Sequence, residues 1–175
     1  MDRIEKLQQL VQAADTLHIN SEWLDYIGVV EYYPEELVIT VKAGTKITDI
    51  QSVLAEHHQA LPFFTASDEM SIGAMYANGA PDLSDSVLGV QIINGNGELL
   101  NFGGQVMKNV AGYDVARLLV GSKGMLAVVT QISFKVMPKR YIDKLTPHQP
   151  SQTSALYQAI EKKLKQVFDP KGVFN

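Results

Sequence analysis

Apolar residues recur along this chain at two spacings, and the switch between them marks out its elements. From Arg3 to Ala14, the residues Ile4, Leu7, Leu10, Val11 and Ala14 share one face at helical spacing, which predicts an amphipathic helix. Glu36 to Ala43 alternates instead, with Leu37, Ile39, Val41 and Ala43 on one side, and reads as a strand ended by a turn at Gly44. Thr48 stands as the expected N-cap of a helix through His57, with Gln51 as capping-box partner and Ile50, Val53 and Leu54 facing inward.

From Leu61 to Asp85 the text turns to small and polar residues and reads as loop, with one short helix at Ser71 to Asn78. Val87 to Asn94 and Glu98 to Phe102 are strands joined by Gly95-Asn96-Gly97, a hairpin signal because Asn-Gly readily takes positive φ. Val115 to Val120 predicts a short helix, Met125 to Met137 a long strand, Pro138 to Ser154 a polar linker and Ser154 to Phe168 a closing helix. The strands are local and hairpin-joined, with too few strand–helix–strand units for a doubly wound sheet, so the expected class is α+β. No repeat or low-complexity tract interrupts the chain.

Composition narrows the chemistry. With 175 residues, 46% hydrophobic and 19% charged, the chain can bury one core, and a net charge of −4 gives no basic field for nucleic acid. Cysteine is absent, which removes disulfides, thiolate metal sites and cysteine nucleophiles. The first residues, MDRIEKLQQLVQAA, lack the apolar core of a signal peptide, and no apolar run reaches the roughly 20 residues of a membrane span. The expectation is a cytoplasmic chain that touches neither nucleic acid nor the bilayer interior.

Side chains alone assemble no reaction centre. The four histidines, His18, His57, His58 and His148, lack metal-ligand spacing, so no metal site is expected. There is no G-x-G-x-x-G or G-x-x-x-x-G-K-[ST] loop, and Ser122 lies outside a G-x-S-x-G elbow, so hydrolase chemistry has no candidate and no catalytic residue is assigned. The informative stretch is Lys108 to Pro138, whose glycines and apolar blocks describe a loop, a short helix, a tight turn and a strand. Such a turn can bring bare backbone N–H groups against a flat or anionic ligand.

Each residue there also has a plainer reading. Lys108 could be a solvated lysine, Tyr113 a core aromatic, Asp114 and Arg117 a local ion pair, and Gly121, Ser122 and Gly124 a simple turn. Asp85 reads more naturally as a cap, and Trp23, Tyr26, Tyr32 and Tyr33 as core and edge packing.

The run from Gly103 to Asp114, GGQVMKNVAGYD, followed by Arg117-Leu118 and Gly121-Ser122-x-Gly124, resembles the FAD-binding subunits of bacterial glycolate oxidases, flavoproteins of the PCMH or vanillyl-alcohol oxidase type. The resemblance extends over Tyr33 to Thr45, Asp85 to Gly89 and the tail from Phe168 to Asn175. It implies a PCMH-type domain, a largely antiparallel sheet flanked by helices, with FAD in a cleft. The residues carried over as cofactor-binding are Gly44 and Thr45; Ser71, Gly73, Asn78 and Gly79; Asp85; Lys108, Val110, Gly112 and Tyr113; and Gly121, Gly124 and Val128. It implies oxidation of glycolate to glyoxylate beside partner subunits with a second flavin site and iron–sulfur centres, or a homodimer, at most peripheral to the inner face of the membrane.

The departures define a shortened member. Leu17 to Leu24 lacks the glycine-rich pyrophosphate loop, Gly73-Ala74 replaces a glycine pair, Ala127 replaces a flavin-side glycine, and the substrate lobe is absent. The expected organisation is a reduced FAD domain over residues 1–140, a linker over 141–153, and a helix and tail over 154–175 that pack back. Two further readings stand beside FAD binding: a cofactor-free structural or interaction subunit, and a domain holding a smaller ligand in the vacated cleft. The latter two follow from the losses.

Overall fold

The computed structural model describes residues 2–18, 25–65, 67–80, 82–104, 115–146 and 155–174. The chain opens with helix α1 (Arg3–Ala13), whose Ile4, Leu7 and Val11 are buried as the helical spacing predicts. A capping box closes its first turn, with Asp2 and Glu5 each accepting from the other's end of the turn. Sequence reading had placed a capping box at Thr48 and Gln51. There the helix α2 (Ile47–Ala55) is instead capped at Lys46, without a side-chain bond. The amides of Ile47 and Thr48 donate to the carbonyls of Met70 and Asp68. A neighbouring loop satisfies the orphan donors, so no capping side chain is needed.

The sheet has five strands in the order β1-β2-β6-β4-β5: β1 (Val29–Tyr33), β2 (Val38–Lys42), β4 (Val87–Ile93), β5 (Leu99–Gly103) and β6 (Val128–Lys135). Every pairing in it is antiparallel, in line with the α+β expectation. β6 lies at the centre and alternates buried and half-buried residues, which turns Val128, Thr130, Ile132 and Phe134 inward. Met125 to Ala127 precede the strand rather than extend it.

β1 was not expected, and Leu37 does not continue β2. Leu37 takes a left-handed conformation, φ 59°, after a short 3₁₀ turn at Pro34–Glu36, and this reverses the chain between β1 and β2. The predicted linker is structured at its start. β7 (Met137–Pro138) pairs with β3 (Gln59–Ala60), and Lys139–Lys144 forms a 3₁₀ helix. Backbone pairing accounts for this order, a device that composition does not reveal.

Two apolar cores cover the sheet. The larger packs α2, α3 (Ile72–Asn78) and α5 (Val115–Leu118) on it through Ile50, Leu54, Met75, Tyr76, Ala116 and Phe134. The smaller joins α1 to Ile93, Val128 and the tail residues Val173 and Phe174. The tail follows α6 (Ala155–Phe168), and Leu17 bridges to Phe174 in parallel.

Candidate functional site

Helix α3 sits between two turns, and this places most of the described site residues together. On one side lies the turn after β2, where Gly44 N–H donates to Tyr26 C=O at 3.0 Å and Thr45 N–H to Lys42 C=O at 3.0 Å. The Thr45 hydroxyl is buried, accepting from Gly28 N–H at 2.9 Å and donating to Lys42 C=O at 2.7 Å. Its role is to hold the turn. Gly73 N–H donates to Ala43 C=O at 2.8 Å, and a Cβ on Gly73 would stand 2.8 Å from that oxygen and 2.9 Å from Ala43 Cβ. Only glycine lets α3 come this near.

On the other side lies the turn before β6. Gly121 N–H donates to Tyr76 C=O at 2.9 Å and Lys123 N–H to Ala77 C=O at 2.8 Å, tying the turn to α3. Gly79 and Gly121 both take positive φ, 78° and 82°, and a Cβ on Gly79 would lie 3.0 Å from Gly121 Cα. Bare backbone meets bare backbone here. The result is a ridge formed by Asn78, Gly79, Gly121 and Gly124, of which Asn78 and Gly79 are exposed. The buried Tyr76 anchors α5 to α3 by donating its hydroxyl to Ala116 C=O. Sequence reading did not single it out, because a tyrosine inside an apolar helix carries no distinguishing spacing.

The hydrogen-bond capacity of this ridge decides what it can hold. The first amides of α3 are committed to protein: Ile72 to Thr45 C=O, Gly73 to Ala43 C=O, and Ala74 to Ser71 Oγ at 3.2 Å. Ser71 is therefore the N-cap, and this helix end offers no free donor to a pyrophosphate. Among the described residues, the Gly124 amide and the Ser122 hydroxyl have no protein hydrogen bond. Close backbone approach and an open amide fit the flat part of a flavin; the donors for its pyrophosphate are not on these turns.

Three other expectations come out differently or lie elsewhere. Val128 is buried in the smaller core with Ile4 and Phe174. Asp85 does not cap: it is exposed in the first turn of α4 (Leu83–Ser86), whose N-cap is Asp82 without a side-chain bond. Lys108, Val110, Gly112, Tyr113, Asp114, Trp23 and His148 lie outside the described residues. Ala127 is buried in the larger core.

A surface hollow of about 250 Å³ opens between α5 and α6, lined by Leu118, Ser122, Leu126, Ile160, Glu161 and Leu164. Most of that volume is open to solvent, and the enclosed part, about 10 Å³, is far below the roughly 300–1,000 Å³ of pockets for drug-sized ligands. Among the described residues no cluster of three or more acidic, histidine or cysteine side chains could hold a metal. No helix among them is long and apolar enough to cross a membrane.

Two groups near the β1–β2 end have shifted acidities. Burial, then the nearby carboxylates of Glu35 and Glu56, push the Tyr32 phenol up from its ordinary value. The carboxylate of Glu69, 2.7 Å from Lys46 Nζ, raises that ammonium through a hydrogen bond and its charge, with Asp49 adding to it against slight desolvation. Neither belongs to the ridge.

Comparison with known proteins aligns with this geometry. Residues 12–103 match the profile of the FAD binding domain. The chain is 46% identical over 122 residues to glycolate oxidase subunit GlcE of Escherichia coli, covering 64% of this chain and 35% of that subunit. It is 38% identical over 85 residues to glycolate oxidase subunit GlcD of Bacillus subtilis, 49% of this chain and 17% of that subunit. A D-lactate dehydrogenase of Archaeoglobus fulgidus is 28% identical over 105 residues, 55% of this chain and 24% of the enzyme. The chain thus aligns with about a third or less of the length of these relatives.

Proposed function

Because the chain belongs to the FAD binding domain family, we propose that it is an FAD-holding component of a glycolate oxidase, acting on glycolate to give glyoxylate. The observation that carries this reading is the Gly79–Gly121 contact, which brings two positive-φ turns together as a ridge of exposed backbone. A planar ring system can lie against Gly79 and Gly121 because no Cβ projects from either. The segment with Lys108, Val110, Gly112 and Tyr113 joins Gly104 to Val115, and α5 then leads directly into Gly121. In this reading Lys108 offers a cation to the anionic part of the cofactor.

FAD, when bound, supplies the two-electron acceptor for the 2-hydroxy acid. The chain's own groups hold and orient: Gly124 N–H donates to the cofactor, and α3 fixes the spacing of the two turns. Other oxidase subunits, with a second flavin and iron–sulfur centres, would carry the electrons onward, and the assembly would be cytoplasmic or peripheral to the membrane. Residues 1–140 would form the cofactor lobe, 141–153 a linker, and 154–175 a helix and tail that return to it.

A second reading, a cofactor-free subunit that keeps the fold for assembly, draws support from the committed amides at the start of α3. Flavin absorbance of the purified chain, followed by FAD titration against protein fluorescence, separates the two. Yellow protein or saturable quenching supports the cofactor role; colourless protein without quenching removes it.

A further inference from the structure

Four of the six residues that line the hollow between α5 and α6 are aliphatic, Leu118, Leu126, Ile160 and Leu164; the other two are Ser122 and Glu161. Ser122 is only 8% exposed. Its amide donates to Leu119 C=O at 3.2 Å and its carbonyl accepts from Met125 N–H at 3.0 Å, but its hydroxyl has no protein partner among the described residues. Glu161 is half-buried, and among the same residues its carboxylate makes no hydrogen bond or ion pair. Polar groups drawn into an apolar wall are ordinarily satisfied, so two that are not call for a donor.

The helix's own cations do not supply it. Lys165 stands four residues after Glu161 on α6, the spacing at which a helical ion pair forms. Its ammonium has three N–H donors, and they go to Asp169 Oδ2 at 2.8 Å, to Met125 C=O at 2.6 Å and to the Phe174 carbonyl. The side chain of Asp169 is fully buried and also accepts from the amides of Val173 and Phe174, so the lysine is committed to this tail corner. Lys162 and Lys163 follow Glu161 too closely to face it.

Shape selects the form of the missing donor. The enclosed part of the hollow, about 10 Å³, is about what one water-sized group needs, which suits a compact ammonium better than a planar guanidinium. The leucines and Ile160 offer a track for an alkyl stem behind it. We propose that the hollow is a docking site for a lysine side chain of a partner protein. Its stem lies on Leu118, Ile160 and Leu164, and its ammonium donates to Ser122 Oγ and the Glu161 carboxylate. The openness of the site favours a partner chain over a free amine: a small ligand here buries too little surface to bind tightly, whereas the apolar surface left open at Ile160 (39%) and Met125 (44%) extends the contact for a protein. This role is independent of whether the chain holds FAD.

The test titrates n-butylammonium, which carries the stem and head of lysine, into the full chain while the methyl NMR signals of Leu118, Leu126, Ile160 and Leu164 are followed. Saturable shifts at these methyls are expected, with a dissociation constant in the millimolar range, as suits so small a ligand. Glu161→Gln keeps the shape and removes the charge, and should weaken binding by at least about tenfold. Ser122→Ala removes one acceptor and should weaken it less. n-Butanol, the same stem without the charge, should bind far more weakly than n-butylammonium. Equal binding of the two, or of n-butylammonium to wild type and Glu161→Gln, would overturn the assignment and leave a plain apolar groove. Absence of any methyl shift, or tighter binding of n-butylguanidinium, would overturn it as well. Micromolar binding of n-butylammonium would assign the site to a free amine and sink the partner reading.

Discussion

The tail corner and the α3 ridge both bring separate segments into close contact, and they do so by opposite means. At the tail corner a buried carboxylate, Asp169, gathers an ammonium and two amides. At the ridge no charged side chain makes a joining contact: Gly73, Gly79 and Gly121 let backbone meet backbone, and the hydrogen bonds from Gly73, Gly121 and Lys123 run from amides to carbonyls. The charged corner concentrates its energy in one side chain, and removing that side chain strands its partners. The ridge spreads its energy over many peptide groups, so a single side chain added there acts by steric exclusion. Asp169 also explains Gly95, where any Cβ would collide with the Asp169 carboxylate.

The sharpest way to break the comparison is therefore Asp169→Ala. It leaves Lys165 without its counter-ion and two buried amides without an acceptor, and the expected loss is about 3–5 kcal/mol. Urea denaturation of the purified variant measures it. A loss comparable to an exposed ion pair, below about 1 kcal/mol, would mean the tail corner is not a concentrated source of stability.

Gly73→Ala probes the ridge by the opposite route. The new methyl would stand 2.8 Å from Ala43 C=O, which is backbone and cannot swing aside, so α3 must shift. The expected cost is about 1–3 kcal/mol, with loss of the Gly73–Ala43 hydrogen bond visible as faster amide exchange at Gly73. Wild-type exchange at that amide would show that the helix absorbs the methyl elsewhere.

Much of this contrast follows from what a sequence can display. α1 was legible because one face of it is apolar at helical spacing, and α3 reads as one short helix within a loop-like stretch. The β4–β5 hairpin was legible from Asn96-Gly97, and Gly97 does take φ 78°. β1 was not, because four of its five residues are exposed on an edge and show no alternation. The site divides in the same way. Ser71, Gly73, Gly79, Gly121 and Gly124 stand out as small residues in a suggestive order, yet nothing in their spacing says that α3 uses its first amides on Thr45 and Ala43. That is settled by which carbonyls come near, a tertiary matter. Lys165 and Asp169 are four residues apart across the end of α6 and look like an ordinary surface pair; only burial shows them to be a corner.

Gly121→Ala separates stability from binding within the ridge. Gly121 has φ 82°, where an L side chain is strained by about 1–2 kcal/mol, while the nearest atom to its Cβ, Gly79 Cα, is at an ordinary 3.6 Å. The fold should tolerate it with a modest fall in urea midpoint. FAD affinity should fall further than stability does, since the methyl also enters the surface offered to the ring. Equal affinity in wild type and variant would place the flavin away from this turn.

The smallest expected effect lies at a third polar corner, which sharpens the comparison because it works only while neutral. Tyr32 donates its hydroxyl to Gln59 Oε1 at 2.9 Å, and the Gln59 amide donates in turn to Pro34 C=O at 2.8 Å. Burial, with Glu35 and Glu56 nearby, raises the phenol above its ordinary value, so the folded state favours the neutral form. The sign follows: this contribution is fully present below the unfolded value and is lost as pH rises through the raised folded value. Tyr32→Phe removes the titrating group along with one hydrogen bond. At about pH 8 wild type should therefore be the more stable of the two, and the gap should narrow as pH is raised toward about 11. Urea midpoints of both proteins across that range measure it, and a gap that stays constant would mean the phenol's surroundings do not discriminate between its charge states. The tail corner needs its charge and the ridge is joined by neutral peptide groups, so only this corner should answer to Tyr32→Phe as the pH is raised.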